Sequence, residues 1–167
     1  TANGETRDAL LTDGSHVWLN TQSALDVRFD VAQRLLRLRF GEVLIDTAKD
    51  PNRPFLVDTE QGRLQALGTR FSVVQGDEHT QLTVFEGRVR VSTLNPHPRI
   101  VDTGQQLTFT RNHFNTASVA SPAREAWSRG VLLADNLPLG ELIAELNRYS
   151  PGHLGCDPTV AHLPVMG

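Results

Sequence analysis

The stretch Leu82-Thr83-Val84-Phe85-Glu86-Gly87-Arg88-Val89-Arg90-Val91 determines the fold class. Apolar residues alternate with polar residues on both sides of one glycine, which is the period-two pattern of half-buried β-strands. The glycine between the two runs predicts a tight turn or a bulge. The same pattern recurs from Leu36 to Ile45 around Gly41, and more weakly around Gly104. The sequence therefore predicts a layered, all-β body.

Turn signals and further alternating runs extend this pattern over the first 110 residues. Asp13-Gly14 predicts a hairpin near the amino terminus, and Gly68 predicts a bulge within one strand from Ala66 to Val73. Five phenylalanines fall in the apolar phase of their strands and are predicted core residues: Phe29, Phe40, Phe55, Phe71 and Phe109. No helix is predicted before Thr110.

The composition changes after Thr110, which divides the chain. Residues 111–126 are polar and aperiodic and include Ser121-Pro122, so they predict a connector. We therefore expect an all-β domain at 1–110, a connector at 111–126 and a second unit at 127–167.

One helix is predicted in the second unit. Leu139, Leu142, Ile143 and Leu146 are spaced i, i+3, i+4 and i+7, which places them on one helix face. Pro138 suits the first turn, Asp135 or Asn136 lies within capping range, and Ser150-Pro151-Gly152 ends the helix. Short strands are predicted at 131–133, 153–156 and 163–166, so the unit is a partial β-α-β-β arrangement.

Several functional classes are disfavoured by composition. The net charge is −3 and the arginines are scattered with a single lysine, Lys49, so no basic stripe for nucleic acid is predicted. No apolar run approaches the roughly 20 residues that cross a bilayer, so a soluble chain is expected. Cys156 is the only cysteine, which excludes an internal disulfide and is compatible with either the cytosol or the periplasm.

Catalytic and metal-binding motifs are also missing from the sequence. The six histidines show neither His-x-His nor His-Glu-x-x-His spacing, and no nucleophile elbow or phosphate loop is present. We therefore expect no catalytic residue, no metal and no cofactor, and we interpret the chain as a binding protein. Carboxylates such as Glu42 and Glu86 lie beside predicted strands and turns.

Two classes of binding partner are considered. Exposed aromatic residues lining a groove would favour an extracellular β-module that binds glycan or matrix. Trp127 and Tyr149, which bracket the predicted helix, are expected to pack between the two units, whereas Trp18 is either exposed or facing a second layer. A protein partner is therefore the leading hypothesis.

A series of short motifs follows one another along the chain. The motifs in the first half are Gly4-Glu5-x-Arg7, Leu11-x-Asp13-Gly14-Ser15-x-Val17-x-Leu19-Asn20, Leu38-x-x-Gly41-Glu42-Val43, Arg53-Pro54-Phe55-x-Val57-x-Thr59, Ala66-Leu67-Gly68-Thr69-x-Phe71-x-Val73 and Glu86-Gly87-x-Val89-x-Val91. Those in the second half are Gly104-Gln105, Trp127-x-x-Gly130-x-Leu132, Asn136-x-Pro138-Leu139 and Leu146-Asn147-Arg148-Tyr149. Each motif alone is weakly specific, but the ordered series resembles the FecR family of periplasmic sigma-factor regulators.

The resemblance implies a role in cell-surface signalling. In this family a cytoplasmic anti-sigma segment and one membrane helix precede a periplasmic region. That region receives a signal from the amino-terminal signalling domain of a TonB-dependent outer-membrane siderophore receptor, and an extracytoplasmic-function (ECF) sigma factor is the output. Neither the cytoplasmic segment nor the membrane helix is found in this sequence, so the resemblance implies a periplasmic fragment of a single-pass protein.

The resemblance also implies a β-sandwich-like FecR body followed by the first half of a unit like the short secretin and TonB amino-terminal domain. A half-unit exposes a helix face and a strand edge, so we expect it to dock on the β body or on another molecule. The predicted partner-binding residues are Val131, Leu132, Leu133, Leu139, Leu142, Leu146 and Tyr149. Alternatively, Leu142, Ile143 and Leu146 fill a small core of their own.

Overall fold

The computed structural model describes all 167 residues, which form fourteen strands, two α-helices and one 3-10 turn. The strands are β1 (Arg7–Leu10), β2 (His16–Leu19), β3 (Ala24–Phe29), β4 (Arg34–Asp46), β5 (Phe55–Asp58), β6 (Arg63–Ala66), β7 (Arg70–Gln75), β8 (Thr80–Glu86), β9 (Arg88–Ser92), β10 (Arg99–Asp102), β11 (Gln105–Phe109), β12 (Ser118–Val119), β13 (Leu137–Pro138) and β14 (Pro164–Val165). The helical elements are α1 (Ala123–Ala126), the 3-10 turn Trp127–Arg129 and α2 (Leu139–Tyr149). Neither helix has the length and apolar character needed to span a membrane.

Twelve strands form one large curled sheet whose two halves share the long strand β4. The first half, sheet A, has the order β1-β2-β4-β7-β8-β11-β12, and the second half, sheet B, has the order β3-β4-β5-β6-β9-β10. All pairs are antiparallel except β4 with β5. The prediction of a mainly β protein with stacked, largely antiparallel strands is confirmed.

The hydrophobic core lies between the two halves of the curled sheet. It is one cluster of 18 buried residues, to which sheet A and sheet B each contribute nine. Phe55, Phe71 and Phe109 are fully buried in it as predicted, and Phe29 packs against it. Phe40 was predicted to be in the core, and that prediction is wrong because its side chain is 53% exposed.

Residues with positive φ mark the places where the chain crosses from one half of the sheet to the other. Five of the six crossings contain such a residue: Gln22, Gly41, Gly68, Gly87 and Gly104. A left-handed residue interrupts the ladder and redirects the chain, and glycine adopts this conformation without a steric penalty. Gly41, Gly68, Gly87 and Gly104 are therefore corners between the two halves of the sheet, whereas Gly14 turns the β1–β2 hairpin as predicted.

These corners correct three predictions that were based on the alternating pattern. The runs on either side of Gly87 do not pair with each other, because β8 belongs to sheet A and β9 to sheet B. The single strand predicted from Ala66 to Val73 is two strands, β6 and β7, separated by Gly68. At Gly41 the core-facing positions change from even to odd numbers, which leaves Phe40 outside the core.

The sixth crossing, residues 47–54 between β4 and β5, is held by a buried arginine. The Arg34 guanidinium donates to Asp13 Oδ2 at 2.6 Å, to the carbonyl oxygen of Ala48 at 2.8 Å and to that of Arg53 at 3.1 Å. Burial alone would raise the pKa of Asp13, but hydrogen bonds from Arg34 and Ser15 outweigh it and lower that pKa. One cation thus ties the β1–β2 turn to this crossing.

The carboxy-terminal unit matches its prediction in part. Helix α2 runs from Leu139 to Tyr149 and ends before Ser150 as expected, but no side chain caps its amino terminus, so neither Asp135 nor Asn136 has that role. The carbonyl oxygens of Leu163 and Ala161 instead accept from the N–H groups of Leu139 and Gly140.

The predicted strands at 131–133 and 153–156 are wrong, because the backbone there makes no strand pairing. The short strands are β13, which follows the first of these segments, and β14, which lies within the predicted range 163–166 and pairs with β13.

Replacing Gly87 by alanine is expected to destabilise the protein by about 2–4 kcal/mol, because a left-handed residue with a Cβ costs about 1–2 kcal/mol and the added Cβ would overlap with the carbonyl oxygen of Gly68. Gly104 is the matched control, since its φ is 81° and no atom lies within 4 Å of an added Cβ. Gly104→Ala should show the conformational cost alone. Urea unfolding followed by tryptophan fluorescence measures both, and equal losses would contradict this account of Gly87.

Candidate partner-binding site

The outer face of sheet A carries buried residues after Gly41. In β4, Val43 and Ile45 point into the core, so the alternation of the strand directs Glu42 and Leu44 to the opposite face. Glu42 is nevertheless only 1% exposed, and Leu44 is fully buried. Helix α1 and the 3-10 turn lie on this face, where Trp127 reaches Glu42. The carboxy-terminal unit therefore docks on the β body.

The Glu42 carboxylate is surrounded by donors from distant segments of the chain. Its Oε1 accepts from the indole Nε1 of Trp127 at 3.1 Å and from Ser72 Oγ at 3.4 Å, and its Oε2 accepts from Asn20 Nδ2 at 2.9 Å. Arg124 Nη1 lies 3.8 Å and Arg148 Nη1 lies 3.9 Å from the carboxylate. This group of residues is called the Glu42 cluster below.

Burial raises the pKa of Glu42, because the charged form loses its hydration when the unit covers it. Arg124, the hydrogen bond from Asn20, and Arg148 act in the opposite direction and offset part of this effect. The carboxyl group is thus a costly buried acid that is compensated by donors from the docked unit and the β body.

A second set of contacts holds the end of α2. The Tyr149 hydroxyl donates to Asn20 Oδ1 at 2.7 Å, and Thr21 Oγ1 donates to the carbonyl oxygen of Arg148 at 2.9 Å. Burial raises the pKa of Tyr149, so its hydroxyl remains a donor. The prediction that Trp127 and Tyr149 pack between the two units is confirmed.

A groove opens where the amino-terminal segment meets the docked unit. It has a volume of about 300 Å³ and is called the partner groove below. It is lined by Gly4, Thr6, Trp127, Gly130, Val131, Leu132, Leu146 and Tyr149. Four of the predicted partner-binding residues are thus brought together: Val131, Leu132, Leu146 and Tyr149. Sequence reasoning did not predict Gly4 and Thr6, which precede β1, as site residues, although the motif Gly4-Glu5-x-Arg7 spans both.

The remaining predicted residues lie outside the partner groove. Leu133, with Leu132, lines a second cavity of about 400 Å³ between α2 and sheet A, which also contains Glu42 and Arg124. Leu139 and Leu142 line neither space and lie on α2, none of whose residues is fully buried. Leu139 and Leu142 are therefore half-buried residues that the structure does not bring into the partner groove.

The chemistry of these spaces suits binding. No group of three or more metal-ligating side chains converges in the molecule. A space of about 660 Å³ beside β5 has four charged residues among the twelve that line it, including the ion pair of Arg53 with Asp50. The partner groove instead presents apolar side chains with few charges, which is the character of a site for protein side chains.

Comparison with known proteins identifies close matches. A family model for the FecR protein matches residues 1–90. Two crystal structures of a candidate anti-sigma factor from Parabacteroides distasonis ATCC 8503, at 1.65 and 2.50 Å resolution, superimpose with TM-scores of 0.80 and 0.79. Each is 25% identical, and the alignment covers 100% of this chain and 81% of the other. No curated protein sequence matches this chain.

Glu42→Gln is expected to loosen the docked unit by about 1–3 kcal/mol, because glutamine offers one acceptor oxygen where the cluster supplies donors on both sides. Asn20 cannot rotate to compensate, since the Tyr149 hydroxyl and the Thr21 N–H both donate to its Oδ1. Amide hydrogen exchange should quicken in residues 123–129 and 139–149 and stay unchanged in the core part of β4. The surface variant Glu60→Gln is the control, and equal exchange in both variants would contradict the role of Glu42.

The stability difference between the wild type and Glu42→Gln is expected to fall as pH rises. Because the folded pKa of Glu42 lies above its ordinary value of 4.5, the native state binds more protons than the unfolded state in this range, and ionisation then weakens folding. Urea unfolding from pH about 4 to about 8 measures the difference. Carboxylates with lowered pKa values, such as Asp13, contribute less to the free energy of unfolding at low pH. This effect is the same in both proteins and cancels in the difference. A stability difference that rises with pH would contradict a raised pKa of Glu42 in the folded protein.

Proposed function

Because this chain belongs to the FecR family of sigma-factor regulators, we propose that it is the periplasmic, signal-receiving region of a membrane-anchored regulator. Its partner is the amino-terminal signalling domain of a TonB-dependent outer-membrane receptor. Binding reports the arrival of an iron chelate, and the output is a change in the activity of an extracytoplasmic-function sigma factor.

The observation that carries the proposal is the apolar surface of the docked unit. Six of the fourteen exposed large apolar residues lie within residues 127–167, about a quarter of the chain. Two of these six, Val131 and Leu146, line the partner groove. A concentration of exposed apolar side chains marks a protein interaction site. Six of the eight residues that line the partner groove lie in this region, and four of them are predicted partner-binding residues.

A glycan or matrix ligand is supported less well. Such ligands stack on open aromatic faces, but Trp127 is 6% exposed and its N–H is bound to Glu42. The Tyr149 hydroxyl is also engaged, with Asn20. The rings of the partner groove therefore serve to hold the two units together, and its apolar side chains favour a protein partner.

Calorimetric titration with isolated signalling domains of TonB-dependent receptors from the same genome tests the proposal. Val131→Asp should weaken binding by about tenfold or more, because it places an unpaired charge in the partner groove. Val131 is 46% exposed, so the change does not disturb a core.

Val31→Asp is the matched control, since Val31 is 97% exposed in the turn between β3 and β4, outside the partner groove. It should bind as the wild type does. Absence of binding by every signalling domain tested, or equal affinity of the two variants, would contradict the proposed function.

A further inference from the structure

Strand β1 is an open edge of sheet A. It pairs with β2 alone, and all four of its residues are exposed. Its two charged side chains are satisfied by neighbours, Arg7 by Glu5 at 3.2 Å and Asp8 by His16 at 3.2 Å. An edge strand whose charges are locally paired offers its backbone to another strand.

The backbone groups that face outward can be identified from the register. The N–H of Leu11 donates to the carbonyl oxygen of Ser15 at 2.8 Å, and Ala9 lies opposite Val17. Antiparallel ladders alternate between bonded and non-bonded pairs, so Ala9 is bonded to β2 whereas Asp8 and Leu10 are not. The N–H and C=O groups of Asp8 and Leu10 therefore point away from β2 into solvent.

The other edges of the curled sheet are better protected. Strand β12 has two residues, and β3 has a register shift beside Ala24. Strand β10 directly follows a loop containing Pro96 and Pro98. Very short strands, bulges and prolines are among the usual defences of a sheet edge.

The partner groove lies at the amino-terminal end of β1. Thr6, which lines the groove, directly precedes β1 and lies two residues before Asp8 and four before Leu10. Alternate residues of an extended chain direct their side chains to the same face. On the same face of β2, the rings of His16 and Trp18 stack at 3.9 Å opposite Leu10 and Asp8. A strand added beside β1 would place alternate side chains over this face and toward the groove.

We infer that the partner adds an extended strand to the β1 edge and seats apolar side chains in the partner groove. The inference rests on the proposed function and specifies how the partner binds. Backbone pairing supplies affinity and the groove supplies side-chain selectivity. A second copy of the chain is the alternative occupant, in which two-fold pairing centred on Ala9 would set Asp8 opposite Leu10 of the copy.

The variant Asp8→Pro tests this inference against Asp8→Ala. Both variants lose the side chain, but proline also removes the outward N–H and fills the space that a neighbouring strand needs. The Asp8 N–H makes no bond to β2, so the folded protein should tolerate the change. The receptor signalling domain that binds the wild type is the probe, and Asp8→Pro should bind about tenfold or more weakly than Asp8→Ala.

Amide hydrogen exchange of the wild-type complex gives a second readout that needs no variant. The Asp8 and Leu10 amides should become protected on binding, while the Ala9 amide, already bonded to β2, should change little. Wild-type affinity in Asp8→Pro with no new protection would overturn the inference and leave the proposed function intact. A wild type that binds no signalling domain would overturn both. Self-association of the free protein that Asp8→Pro abolishes would assign the edge to a second copy instead.

Discussion

The left-handed turn at Gly41 within β4 is the constraint on which the rest of the structure depends. It lets one strand pair in both halves of the sheet, with β3 and β5 before the turn and with β2 and β7 after it. An added Cβ at Gly41 would overlap with the Oγ of Ser23, so glycine is required both for its φ of 90° and for space. Without this corner the two halves could not share a core.

The corner at Gly41 also leaves residues on the outer face of β4 that other parts of the chain must bury. Once Val43 and Ile45 face the core, Glu42 and Leu44 face outward from a central strand and must be covered. The carboxy-terminal unit supplies the cover, and Trp127 donates to a residue 85 positions earlier in the chain. Buried ionisable groups are weak sources of stability but define a unique arrangement when every donor is matched. We interpret the Glu42 cluster as the device that fixes where the unit docks.

Sequence patterns identified most of the elements and few of the contacts. Alternation located the strands, and the spacing of Leu139, Leu142 and Leu146 located α2. The glycines signalled irregularity, but a period-two run looks the same whether it pairs with its neighbour or with a strand in the other half of the sheet. The corners therefore became visible only in the structure, and Phe40 was misplaced for that reason.

The residues of the candidate site also divide into those that the sequence indicated and those that only the structure shows. Val131, Leu132, Leu146 and Tyr149 were available from the family resemblance and from their apolar character. Glu42 was one carboxylate among several, because its burial depends on a segment far along the chain that no local pattern links to it. Gly4 and Thr6 fall within the motif Gly4-Glu5-x-Arg7, but no local pattern links that segment to the docked unit.

The partner groove and the Glu42 cluster share Trp127, and this links binding to docking. The groove has one wall from the segment before β1 and another from the docked unit, so it exists only while the unit is docked. A ligand that binds one of two states stabilises that state by its differential affinity. Under the proposed function, a partner that fills the groove strengthens the same arrangement that the Glu42 carboxylate, Asn20 and the Tyr149 hydroxyl maintain. In that case the buried acid sets how often the groove is formed.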